Sequence, residues 1–361
     1  MTTTLKPPVS IWPARIRFIS MAAGRIHLRV DLRTLVVTTL LVAMTLAVSV
    51  WSLGVGSAEG ADLSIDRVIG AFTGTESEVV RRIVVEGRLP RVLVAVFGGA
   101  ALALSGAIFQ TLTRNPLGSP DIIGFTSGAN TGALIAMLVL GLGYTGATFG
   151  SLIGGLATGA AIYVLALRDG VHGTKLIVVG IGVSAMLIAF NGFLLVQARV
   201  ENAASAAAWG QGIFDQLRFV DVIAVIVVLA VLVPALALLT PSMRMFELGE
   251  DSAQSKGVHT RRVQIQLLIV GVGLVAVVTA VAGPIAFIAL IAPQLGMRLA
   301  RSPGIPLLTT AAVGSCLLVI SDAVARTMLA PVQLPVGVVT TALGGVYLLG
   351  LLIVQSRKAA S

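Results

Sequence analysis

One carboxylate interrupts an apolar run late in the chain. Asp322 stands in LLVISDAVART, with Arg326 four residues further on. On a helix this spacing puts both on one face, and acid before base favours a local ion pair. Little else invites bond-making chemistry. Acids inside the apolar runs are nearly absent, whereas a proton-coupled carrier needs a chain of buried acids or histidines. His27, His172 and His259 lie far apart and away from acids, so no protein-held metal is expected. Cys316 stands alone in an apolar run, which rules out a disulfide framework. No lysine follows the glycine pattern of a P-loop, so the chain does not bind ATP in that manner. No catalytic residue is nominated and no cofactor is expected on this chain. If it pumps, a separate ATPase must push on it.

Three polar segments are candidates for that contact and for others. ELGEDSAQSKGVHTRR, from Glu247 to Arg262, carries Glu247, Glu250, Asp251, Lys256, Arg261 and Arg262 between two apolar runs. Acids at its start suit a helix N-terminus, and Gly257 suits a C-terminal cap. It reads as a short rigid helix able to enter a groove on a partner, or as an ordinary solvated loop. In EGRLPRV, Pro90 fits the first turn of a helix, leaving Arg88 and Arg91 at the mouth of a bundle. They suit bidentate pairing with carboxylates of a docking protein, or snorkelling to headgroups. TLTRNPLGSPDIIG places turns at Asn115-Pro116 and Ser119-Pro120, followed by Asp121, and reads as a structural hairpin.

The elements that must hold these segments are membrane helices. Hydrophobic residues make up 56% and charged ones 11%, with a mean hydropathy of +0.98, against about 25% charged in a soluble domain. A span needs roughly 20 apolar residues. Ten runs qualify, at approximately 34–53, 90–112, 122–143, 146–167, 175–197, 219–240, 263–283, 284–300, 306–329 and 335–355. The eighth is short and opens on AGPIAF, as a broken or tilted helix would. In GATFGSLIGGLATGAA, Gly146, Gly150 and Gly154 share a face, with Gly155 and Gly159 beside it, which fits close helix packing. The polar 57–89 stretch should be partly helical, and the Ala-rich part of 198–218 suits a short helix on the bundle. The reading is an all-α polytopic membrane protein: a basic N-terminal arm over 1–32, then a ten-span domain over 33–361 with a loop at 244–262. The first run exceeds a signal-peptide core. With both termini in the cytoplasm, most of the 25 Lys and Arg fall inside. The net charge of +9 then reflects anionic headgroups rather than nucleic acid.

The polar segments sit in longer stretches with a familiar pattern. RLPRVLVAVFGGAALALSGAIFQTLTRNPLGSPDIIGFTSGA strongly resembles the iron-siderophore and cobalamin ABC importer permeases of the FecCD type. So do LGEDSAQSKGV, AGPIAFIALIAPQLGMRLAR and LPVGVVTTALGG, in order, from about Arg88 to Lys358. SGAIFQTLTRNPLGSPDIIGF looks most like the ferric-enterobactin (catecholate) branch. The resemblance implies a type II ABC importer permease fold in a bacterial cytoplasmic membrane, and a second permease subunit, a related chain in that branch. It further implies two ATPase subunits carrying ATP and Mg, and an extracytoplasmic binding protein; iron travels inside its siderophore. Residue by residue, it puts Leu248, Gly249, Glu250, Asp251, Ala253 and Gly257 on the ATPase-coupling segment. Arg88, Arg91 and Arg326 fall on binding-protein docking positions, Gly173 and Thr174 on a cytoplasmic gate, and Asn191 on the pathway.

Ferric siderophore import is therefore the leading expectation. Cobalamin or haem import on the same architecture is the nearest rival. A proton-coupled carrier and a passive channel are the readings from other classes; an uncoupler would stop the first, and the second would need no nucleotide.

Overall fold

The computed structural model describes residues 18–23, 26–56, 62–121, 123–167 and 173–360. Part of the arm lies outside these residues. Its described part is a feature the sequence reading lacks: strands β1 (Phe18–Ala23) and β2 (Ile26–Asp31), paired antiparallel with Phe18 opposite Asp31. Phe, Ile and Val favour extended backbone. Asp31 ends the hairpin and starts helix α1 (Leu32–Gly54), its carboxylate accepting from the backbone N–H of Arg33 and Thr34 at 3.3 and 3.2 Å. Two acceptor bonds at an N-terminus make a strong cap.

Short helices α2 (Ile65–Thr73) and α3 (Glu78–Arg81) follow. A π-helical segment at Arg82–Arg88 then runs without a break into α4 (Leu89–Thr113). Pro90 thus lies inside a continuous helix of 36 residues, not at a helix start. Proline has no N–H and crowds the carbonyl four residues back. The preceding turn widens accordingly, with Leu89 N–H reaching Val84 O, five residues back.

The remaining helices are α5 (Phe125–Leu134), extended by a π segment at Ile135–Val139, α6 (Gly143–Leu167), α7 (Gly173–Gln197), α8 (Val200–Trp209), α9 (Phe219–Glu247), α10 (Glu250–Ser255), α11 (Thr260–Ala282), α12 (Ile288–Ala300), α13 (Leu307–Thr327) and α14 (Val336–Ala360). Seven helical segments among the described residues are long and apolar enough to cross a membrane. Three shorter ones, Phe125–Val139, Ile288–Ala300 and Val336–Leu351, account for the other expected spans. The eighth is broken as its opening motif suggests. The chain leaves α11 at Gly283, stays non-helical to Phe287, and re-enters a helix of 13 residues. Non-helical backbone at membrane depth must be satisfied by protein. Here Ile213 N–H donates to Ala282 O at 2.9 Å and Gly337 N–H to Gly212 O at 3.4 Å, so the connection after α8 closes over the break.

α4 is the central post, packed by α13, α11, α12, α9 and α7. Its flanks read Gly, Ala and Ser because neighbouring backbones come close: Ser105 Oγ donates to Gly271 O at 2.7 Å, and Ser315 Oγ to Val96 O at 2.7 Å. The glycine face of α6 packs on α5. A Cβ placed on Gly154 would lie 2.9 Å from the Cα of Gly132, so neither position admits a side chain without separating the helices. In lipid, such backbone contact supplies the attraction that apolar burial cannot. By contrast α1, α7 and α9 are mostly exposed in the single chain, with Leu40, Met186, Val196 and Leu238 turned outward. These are faces for lipid or another subunit.

Candidate functional site

The ion pair expected from Asp322 and Arg326 is present, and it is part of something larger. At the C-terminal end of α13 the two lie 3.3 Å apart, from Arg326 Nε to Asp322 Oδ2. The other carboxylate oxygen accepts from Arg91 Nε, on α4, at 2.6 Å. Arg91 Nη1 also donates to Asp215 Oδ1 at 2.9 Å and to Gln333 Oε1 at 2.8 Å. Arg326 turns the rest of its guanidinium to the end of α1, where Nη1 donates to the carbonyls of Ser52 and Val55 at 3.2 Å each and Nη2 reaches the Ser52 hydroxyl. Arg88 Nη1 donates to Leu53 O at 2.8 Å. The last carbonyls of a helix lack intrahelical partners and carry partial negative charge; two arginines serve them here. One buried acid therefore ties α4, α13, α1 and two connections together.

This changes the docking reading of two residues. Arg91 is 6% exposed, Arg326 4% and Asp322 1%. A guanidinium so enclosed, with carboxylate and carbonyl partners, is not a free surface charge in the single chain, and Arg326 ties α13 to the end of α1. Arg88 remains half-buried at the rim. Asp215, Gln333 and Ser52 have no signal in the sequence that would have joined them to this cluster.

The opposite end of α13 meets the end of α9, where the polar 244–262 loop begins. Ile305 N–H donates to Glu247 Oε1 at 3.4 Å. The distance along α13 from there to Asp322 is about 25 Å at 1.5 Å per residue. The expected single helix over the loop is instead two pieces. α9 runs on to Glu247, Leu248 follows, and Gly249 (φ 107°, ψ 153°) makes a turn open to glycine. α10 is then six residues long. Glu250 and Asp251 open it, with side chains outside the described residues. Gly257 closes it at φ 81°, with nothing within 4 Å of a notional Cβ, so backbone conformation and not crowding calls for glycine. Leu248 is exposed. Ala253 is fully buried in the single chain. Its role is to seat α10.

The remaining expectations divide. Gly173 and Thr174 begin α7, and their side chains fall outside the described residues. Asn191 is buried on α7, its Oδ1 accepting from Thr131 Oγ1 at 2.7 Å. It links α7 to α5, as a buried amide finds its partners within the protein.

Asp121 does close a turn, as expected: its Oδ1 accepts from Thr126 Oγ1 at 2.6 Å. Burial pushes its carboxyl up from the ordinary range, opposed by the Thr126 hydroxyl and the Phe287 backbone N–H. A raised native value means that the folded chain binds this proton more readily than the unfolded one. Its contribution to stability therefore grows as pH falls through the native value and levels off below the unfolded one, about 3.9. Asp121→Asn is expected to flatten the rise in unfolding temperature between about pH 7 and about pH 4. Thermal unfolding of purified protein across that range measures it, and an unaltered slope refutes it.

Ten apolar helices among the described residues, close small-residue packing, a buried ionic cluster at one end of α13 and the short helix α10 near the other describe a polytopic membrane protein. The chain belongs to the FecCD transport family, which its residues 28–354 match. It is 41% identical over 329 residues to the ferric enterobactin transport system permease FepG of Escherichia coli K12, covering 91% of this chain and 99% of that protein. It is 36% identical to the achromobactin transport system permease CbrC of Dickeya dadantii, over 92% and 95% of the two chains. The hemin transport system permease HmuU of Yersinia pestis matches at 34% over 75% and 83%. Among solved structures, a metal-chelate type ABC transporter in an inward-facing conformation superposes with a TM-score of 0.75 at 26% identity, over 88% of this chain and 99% of the other.

Proposed function

We propose that this chain is the transmembrane permease of an ATP-driven importer of ferric siderophore, of the catecholate kind. The observation that carries this is the 41% identity to the ferric enterobactin permease over 99% of its length. The geometry is compatible: a chelated iron needs no ligands from the protein, and the chain offers a conduit and a lever. The α9–α11 connection faces the cytoplasm, where Leu248 and the exposed side of α10 enter a groove on an ATPase subunit. The Asp322 cluster faces outward, towards a binding protein, with Arg88 at its rim and Arg81, Arg82, Arg199 and Arg218 exposed as further basic residues for an acidic partner. A related chain pairs with this one across the exposed face of α7. ATP closing the partner subunits moves α10, and the two bundles rock about the pathway between them.

The test is reconstitution into vesicles with the cognate ATPase, second permease and binding protein, followed by uptake of radiolabelled ferric catecholate. Accumulation should require ATP and survive a protonophore. Uptake without the ATPase, or of hemin in preference to the catecholate, overturns the assignment; the latter would favour the reading that HmuU represents.

A further inference from the structure

The two carboxylates that hold Arg91 differ in kind. Asp322 is 1% exposed on a long helix and also pairs with Arg326. Asp215 has a side chain 51% exposed, on the non-helical connection between α8 and α9. Half-exposed pairs are weak and screened, whereas a buried pair is hard to break because it would leave a bare charge behind. The cluster also contains one cation too many for its buried acid: Arg91 and Arg326 share Asp322. Nη2 of Arg91 is buried without a hydrogen-bond partner among the described residues. We propose that Asp215 is a displaceable lid on Arg91. An acidic side chain of the docking protein takes its place, while Asp322 is the positioning residue that keeps the guanidinium aimed.

Exchange of one carboxylate for another keeps the Arg91 guanidinium paired throughout, so docking need not leave a bare buried charge. It also restores a docking role to an arginine that is covered in the free chain. Arg326 has no such exchangeable partner among the described residues: its contacts there are Asp322 and the end of α1. The inference rests on the docking reading of this face given above.

The experiment uses the assembled transporter in lipid nanodiscs, with its own binding protein as ligand and phenylglyoxal as a probe of arginine access. Asp215→Asn should speed phenylglyoxal labelling of Arg91 and tighten binding-protein affinity at low salt by up to roughly fivefold, the worth of an exposed ion pair. High salt should erase the gain. Asp215→Glu should behave as wild type. Asp322→Asn should weaken docking, and no salt condition should make it resemble Asp215→Asn. If Asp215→Asn leaves labelling and affinity unchanged while Arg91→Gln weakens docking, the lid is wrong and the docking face stands. If Arg88→Gln and Arg91→Gln both leave affinity unchanged, the docking face itself is wrong. Should Arg91→Gln fail to fold, the labelling of Asp215→Asn decides the lid alone.

Discussion

Asp322→Ala should destabilise the protein by about 3–5 kcal/mol, the cost of removing one member of a buried ion pair. The cost is high because two guanidinium groups, not one, lose their counter-charge. Arg91 keeps Asp215, which is half-exposed and a poor substitute; among the described residues Arg326 keeps the carbonyls of Ser52 and Val55 and the Ser52 hydroxyl. The five segments joined through its two arginines, α4, α13, α1 and two connections, lose their common tie. The yield of folded protein in nanodiscs and its unfolding temperature report the effect. It should hardly respond to salt, because a buried pair is screened far less than a surface one. Replacing the trio together, Arg91→Met with Asp322→Leu and Arg326→Met, should recover much of the lost stability, since an apolar cluster of similar volume often matches a buried ionic one. That variant should still fail to dock a binding protein, having no charge at position 91. A wild-type unfolding temperature for Asp322→Ala would show that the cluster does not hold the bundle.

What the sequence disclosed and what it hid follow from range. Asp322 and Arg326 are four apart, so helix geometry joins them without knowledge of the fold. Arg91 is 231 positions from Asp322, and nothing in a single chain announces that contact. Its neighbour Pro90 looked like a helix start because proline usually is one there; the π turn that lets the helix continue leaves no mark in the residue types. The ten apolar runs were legible because the membrane imposes length and hydropathy on each span separately. The glycine spacing of α6 was legible because close packing demands small residues on one face. The burial of Asn191 and Ala253 was hidden for a shared reason. A lone amide and a lone alanine each suit an exposed or a buried setting, and only the neighbouring helix decides. The β-hairpin falls in the basic arm, whose charges mask the alternating Ile26, Leu28 and Val30 of its second strand.

The second large effect concerns α10, the proposed coupling helix. Ala253→Leu should leave a folded complex that hydrolyses ATP but imports about tenfold less substrate or worse, a loss equivalent to about 1.4 kcal/mol in coupling. Ala253 is fully buried, so a longer side chain has no room and must lift α10 from the bundle, at a cost of about 1–3 kcal/mol. A six-residue helix has little stability of its own; it is rigid only while seated. Gly257→Val should act in the same direction from the other end, since a β-branched residue resists the left-handed backbone at φ 81°. Leu248→Asp makes the contrast. Leu248 is exposed, so the change should spare the bundle and weaken retention of the ATPase subunit instead. ATP hydrolysis, uptake and co-purification of the ATPase, measured on all three variants, separate a loosened lever from a lost handle. Normal uptake in a well-folded Ala253→Leu complex would mean that force reaches the bundle by another route. The contact from Glu247 to Ile305 would then be the first place to look, because it passes the end of α9 directly to the start of α13 and so towards the Asp322 cluster at that helix's far end.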